Sequence, residues 1–177
     1  RKIPAEIERQ LLAKYKLDGT LWEQYRGYLG DLVRGDLRLS TKYRNRSVNE
    51  ILIQTLPVTL ALGGTAFLIA VVAGVGLGTI AAMRRRTWKD HAAMLAALAA
   101  IALPSYITGP LFILLFALTL GWFPAGGWGG VSHLILPAIT LAAPAAAVIA
   151  RLMRGSMVET LEMDFVRTAR AKGVGET

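Results

Sequence analysis

Apolar positions along this chain are gathered into long unbroken runs, not into the one-faced or alternating patterns of a soluble fold. No Asp, Glu, Lys or Arg occurs in 51–83 or in 92–150. About 20 mainly apolar residues are enough for a helix to cross a bilayer, so the runs predict three membrane spans. The first lies within Ile51–Met83, with Thr55–Ala82 as its helix. At about 1.5 Å per residue that helix reaches about 42 Å, enough to cross with tilt. The second lies within Ala92–Leu120 and carries Pro104 and the Gly109-Pro110 pair, which weaken helix hydrogen bonding and invite a kink. The third is Leu134–Met153, with Pro137 and Pro144 inside it.

Polar segments separate these spans. A basic loop occupies 84–91, a turn rich in Gly and Trp occupies 121–133, and a basic tail with helical character occupies 154–177. Residues 1–50 are polar, with two short amphipathic patterns. One is Ile7, Leu11 and Leu12; the other is Trp22, Tyr25, Leu29, Leu32 and Val33. Their apolar stripes are expected to pack on one another or on the bilayer interface. The fold class is an all-α integral membrane protein, a polytopic helical bundle. Its two parts are an external segment, 1–50, and a transmembrane domain, 51–177.

Charge orients the bundle. The 84–91 loop has four Lys/Arg, the 151–177 portion has five and the 121–133 turn has none. Positive charge favours the cytoplasmic side, which puts the two basic segments inside and the Trp-rich turn and 1–50 outside. Residues 1–50 contain eleven Lys/Arg, but only Arg38, Lys42, Arg44 and Arg46 lie close to the first span. Composition agrees: 18% of residues are charged, against about 25% in a typical soluble domain. With no Cys, a disulfide scaffold and Cys-ligated metal centres are excluded. The net charge of +8 is dispersed among membrane-adjacent segments. It fits anionic headgroups of a lipid bilayer and forms no nucleic-acid recognition module. The chain begins at Arg1, shows no signal peptide and stops within a polar segment, so it is expected to be a piece of a longer protein.

Within the first span, Ala66, Ala70, Gly74, Gly78 and Ala82 recur every four residues, which stacks small groups on one helix side for close helix packing. The Gly74-Val75-Gly76-Leu77-Gly78 cluster has no strand before it and is read as packing, not as a nucleotide loop. No phosphate-binding loop, zinc-protease motif or nucleophile elbow occurs, so no catalytic residue and no metal ligand is assigned. His91 and His133 are read as interfacial structure. Apart from Arg151 near the end of the third, the spans hold no Asp, Glu, Lys or Arg, which argues against a carrier driven by an ion gradient and for energy supplied by another subunit. In the tail, Phe165, Ala169 and Lys172 approach one face, Arg167 and Arg170 project elsewhere, and Gly173 permits a turn with positive φ. Such a helix is either a docking element or a solvated juxtamembrane helix.

At these residues the sequence resembles a known family, the dipeptide/oligopeptide (peptide/nickel) class of ABC-transporter permease subunits. Asp164-Phe165-Val166-Arg167-Thr168-Ala169-Arg170-Ala171-Lys172-Gly173 is similar to that class's version of the loop E-A-A-x-x-x-G. Ala169 stands at its second Ala and Gly173 at its Gly; Arg167 and Thr168 replace the Glu and first Ala. Further matches follow in order: Tyr28–Leu37, Leu56-Pro57-Val58-Thr59-Leu60, Leu103-Pro104-Ser105-Tyr106, Gly121-Trp122-Phe123-Pro124 and Leu136-Pro137-Ala138, within about Leu17 to Gly175. The resemblance implies six spans, of which this chain holds the second to fourth. It also implies a second permease subunit, external solute-binding protein and cytoplasmic ABC ATPase subunits, which carry the ATP and Mg; the chain itself needs no cofactor. Phe165, Arg167, Thr168, Ala169, Arg170, Lys172 and Gly173 would couple to the ATPase, and Pro104, Gly109 and Pro110 would shape the pathway. The solute stays open among peptides, nickel chelates, glutathione and opines. Two readings from other classes are a membrane scaffold or receptor-like anchor, with 1–50 as its binding module, and an ion-driven secondary transporter.

Overall fold

The computed structural model describes residues 12–13, 18–43 and 45–173. Among the described residues every named element is helical. The chain divides into two compact units, 1–59 and 60–177.

In the first unit, α1 (Leu21–Val33) opens on a reciprocal cap. The Thr20 N–H donates to Glu23 Oε2 at 2.8 Å and the Glu23 N–H returns to Thr20 Oγ1 at 3.4 Å, satisfying two donors that a helix start leaves open. A tight knot follows. Arg38 Nε reaches Asp31 Oδ2 at 2.8 Å, the Val48 N–H donates to the Arg38 carbonyl at 2.9 Å, and Asn49 bonds both the Leu37 N–H and the Gly35 carbonyl. The stripe of α1 does not fold onto the described residues: Trp22, Tyr25, Leu29, Leu32 and Val33 all stay exposed, and Trp22 stacks only on Tyr25. Of the other stripe, Ile7 and Leu11 lie outside the described residues, and Leu12 is exposed.

The long helix α2 (Val48–Met83) begins in this unit and continues into the second. It runs beyond the Thr55–Ala82 core at both ends. Pro57 interrupts its ladder by removing one donor, while Thr55 and Thr59 hydroxyls bond back to the Ile51 and Thr55 carbonyls.

In the second unit the run expected as the second span is broken into α3 (Trp88–Ala102) and a second stretch, Ser105–Thr119, that opens with α4 (Ser105–Phe112); the two are bent by 108°. Leu103 and Pro104 take extended conformations. Proline disfavours a helical residue before it and offers no N–H of its own. The helix therefore stops at Ala102 and restarts with Ile107 and Thr108 donating to the Pro104 carbonyl. A π-helical segment, Ile113–Thr119, completes the run. The third span, α5 (Val131–Leu161), continues unbroken through Pro137 and Pro144 and past Met153. A short helix α6 (Asp164–Ala171) follows directly. α2 and α5 are each long and apolar enough to cross a membrane, and the bent run adds a third if it counts as one span.

The core is made of small residues. Ala66 and Ala70 of α2 meet Ala138 and Ala142 of α5, with Leu62, Ile69, Ala146 and Ile149 around them. Alanines let two backbones approach closely, which is how helices gain packing energy where lipid is as apolar as any side chain.

Candidate coupling site and its supports

The α2–α5 seam tightens toward Met83. The stripe Ala66, Ala70, Gly74, Gly78 and Ala82 is buried throughout. A Cβ at Gly74 would stand 2.7 Å from Ile149 Cβ and 2.8 Å from the Ala146 carbonyl oxygen; one at Gly78 would stand 2.5 Å from the Ala150 carbonyl oxygen. No real Cβ tolerates these distances, so the two backbones touch only because glycine is there.

Beyond the seam, two ion pairs tie the α2–α3 junction, Arg84 to the first turn of α3, to the far part of α5 and the residue after it. Asp90, 3% exposed, receives Arg154 in a two-pronged grip, Nε to Oδ1 at 2.5 Å and Nη2 to Oδ2 at 2.6 Å. The Arg86 N–H adds a third bond to Asp90 Oδ2 at 3.1 Å. Nearer the surface, Arg85 Nη1 meets Glu162 Oε1 at 2.5 Å. That hydrogen bond, with the charge behind it, holds the Glu162 carboxyl below the usual carboxylate range.

Glu162 is one of two residues between α5 and α6. In α6, Thr168 Oγ1 bonds back to the Asp164 carbonyl at 2.8 Å, and the Lys172 and Gly173 N–H groups close the last turn on carbonyls of 168–170. Gly173 lies at φ +85° with nothing within 4 Å of where its Cβ would be, so glycine is required there by the backbone and not by crowding. Val166 and Ala169 are the half-buried positions of α6; Arg167, Thr168, Arg170 and Lys172 are exposed, and Phe165 is 63% exposed. Phe165 and Lys172, which spacing groups with Ala169 on one helix face, are more exposed than Ala169.

Gly109 and Pro110 line a cavity of about 450 Å³ with Ser105, Tyr106, His133 and Thr140 among its walls. Pro104 is not in its lining; it sets the bend that starts α4. His133 lies 3.5 Å from Ser132 Oγ through Nδ1, and His91 Nδ1 contacts the Thr87 carbonyl at 2.8 Å. Both contacts are to residues within four positions in the sequence. Among the described residues no group of His, Asp and Glu is placed to hold a metal.

The ion pairs are what sequence reasoning missed. Asp90 is the lone acid between two long uncharged runs, and Arg151 and Arg154 are the first cations after the second of them. That placement is the available signal, but nothing local links partners 64 positions apart.

Residues 74–177 match the family described as binding-protein-dependent transport system inner membrane component. The chain belongs to this family. It is an all-α, multi-pass protein of the bacterial inner membrane. It is 42% identical over 176 residues to the oligopeptide transport system permease protein OppB of Salmonella typhimurium, covering 98% of this chain and 58% of that protein. To the dipeptide transport system permease protein DppB of Bacillus subtilis it is 44% identical over 168 residues, 95% of this chain and 54% of the relative. To the glutathione transport system permease protein GsiC of Escherichia coli it is 42% identical over 172 residues, 97% and 55% respectively. The chain thus spans a little over half the length of these relatives. The family match begins at Gly74, so it includes the tight end of the seam, both ion pairs and α6.

Proposed function

We propose that this chain is part of the permease subunit of an ATP-binding-cassette importer, forming a pathway for peptides or related small solutes by alternating access. ATP hydrolysis belongs to a separate partner, and an external solute-binding protein and a second permease subunit complete the assembly. The observation that carries this reading is α6. A two-turn helix with an exposed aromatic ring, exposed cations and a left-handed glycine terminus follows a membrane helix after two residues. Its charged surface needs water or a soluble partner, and its short junction transmits displacement instead of absorbing it. The relatives named for oligopeptide, dipeptide and glutathione transport support the solute class. In this reading Phe165, Arg167, Thr168, Ala169, Arg170, Lys172 and Gly173 couple to the ATPase, and Gly109 and Pro110 shape the pathway with Pro104 setting its bend.

The test is reconstitution of the full-length parent with its neighbouring subunits in vesicles loaded with or without ATP. Uptake of a labelled peptide only with hydrolysable ATP is expected. Uptake driven by an ion gradient in the absence of ATP contradicts the proposal.

A further inference from the structure

We propose that Asp90 and Arg154 are positioning residues of the coupling machinery. They join the first turn of α3 to the inner part of α5, so that displacement of α6 reaches α2, α3 and α5 as one body. This rests on the reading of α6 as the element that receives motion from an ATPase.

Three observations carry it. First, the grip is directional. Two parallel N–H···O bonds from a guanidinium fork fix both distance and angle, where a single contact would swivel. The Arg86 N–H on the same carboxylate ties Asp90, in the first turn of α3, to the turn that precedes that helix. Second, the pair is poorly explained as a source of stability. Taking an acid to 3% exposure costs desolvation that its partner offsets only in part, and apolar residues of similar volume commonly do as well. A two-pronged pair with its carboxylate buried and its guanidinium 32% exposed does specify one geometry. Third, the connection is doubled where load would enter. Glu162 lies between α5 and α6, yet its side chain is bonded to Arg85, five residues before Asp90. Force on α6 therefore divides at Glu162. The backbone carries one part into α5, and the Arg85–Glu162 pair carries the other into the loop that joins α2 to α3. The Asp90–Arg154 pair lies two turns further up α5 and holds these routes together.

The experiment uses the whole importer in proteoliposomes and reads three quantities: assembled complex recovered, ATP hydrolysed, and solute moved per ATP. Asp90→Asn and Arg154→Gln are each expected to lower solute moved per ATP at least tenfold, with recovered complex within twofold of the parent. The double variant should be no worse than either single one, and Arg154→Lys should recover only part. If uptake falls only in proportion to lost complex, with solute per ATP unchanged, the pair is structural and the proposal is overturned. A second measurement leaves the Asp90–Arg154 pair intact. Arg85→Cys with Glu162→Cys, in a background free of other reactive cysteines, is bridged by a short bifunctional methanethiosulfonate. One-body motion predicts that the bridged importer still transports. Arrest on bridging and recovery on reduction would mean that the clamp opens during the cycle, which also overturns the proposal. A parent importer that moves solute without ATP removes the underlying coupling reading instead, and that outcome is visible before any variant is made.

Discussion

Gly78→Ala is the smallest change that tests how α2 and α5 are held together. The added methyl carbon would stand 2.5 Å from the Ala150 carbonyl oxygen, 2.8 Å from Met153 Cβ and 3.1 Å from Ala150 Cα. The first distance is about 0.9 Å inside the 3.4 Å at which ordinary van der Waals contact begins. Two of the three atoms are backbone, so no rotamer change relieves them and the helices must part. Parting the seam thins contact along Gly74, Ala70 and Ala66, each buried against α5. Overpacking of a tight core costs about 1–3 kcal/mol, and the rigid backbone contact puts this case at the upper end. Alanine also favours the helix over glycine by about 1 kcal/mol, so the measured loss is about 1–2 kcal/mol. The control is Gly76→Ala on the same helix, where nothing lies within 4 Å and only the propensity gain remains. The two variants should differ by about 2–3 kcal/mol, so thermal unfolding of the full-length parent in one detergent should place Gly78→Ala about 4 °C or more below Gly76→Ala, at about 2–4 °C per kcal/mol for 150–250 residues. Equal midpoints for the two variants would refute the close-contact account of the seam.

Gly173→Val should leave membrane insertion unchanged and lower solute uptake per ATP, because a β-branched residue at φ +85° is strained by about 1–2 kcal/mol and shifts the end of α6; normal uptake by this variant would count against the coupling role. Pro104→Ala should straighten the α3–α4 bend by restoring a donor and a helical preference at Leu103; spin labels on α3 and α4 would report the change as a longer separation, and an unchanged distance would show that packing, not proline, sets the bend. Because Arg85 depresses the Glu162 carboxyl, their link is complete above the ordinary carboxylate value of 4.5 and is lost as pH falls through the lowered value; the separation between labels on the 84–91 loop and on α6 should grow only on that acid side, and Glu162→Gln should remove this pH dependence.

How much could be read from the residues depends on the range of the interaction. The three apolar runs announce their helices because a bilayer imposes length and composition. The break at Leu103–Pro104 is visible because proline acts on its immediate neighbours. Its angle of 108° is not, since helices on both sides must find packing partners. Pro137 and Pro144 lie within α5 without ending it, so a lost donor is a weaker constraint than the packing of Leu136, Ala138 and Ala142 on their neighbours. The four-residue spacing of Ala66, Ala70, Gly74 and Gly78 shows that a seam exists on α2, while its partner, Ala138 to Ala150, is set by the tertiary fold. The α1 stripe has the period of a buried helix face and remains exposed among the described residues, because periodicity records amphipathicity and not what covers it. Asp90 and Arg154 illustrate the limit: each looks like an ordinary charge at a membrane boundary until the fold brings them together.

Arg170 is an exposed position on α6, the helix proposed to receive motion from an ATPase. Arg170→Cys in the full-length parent, cross-linked in intact membranes and analysed by mass spectrometry, addresses that role directly. Capture of a protein carrying a phosphate-binding loop is expected. A label that is reachable from the cytoplasm yet captures no such protein would contradict it.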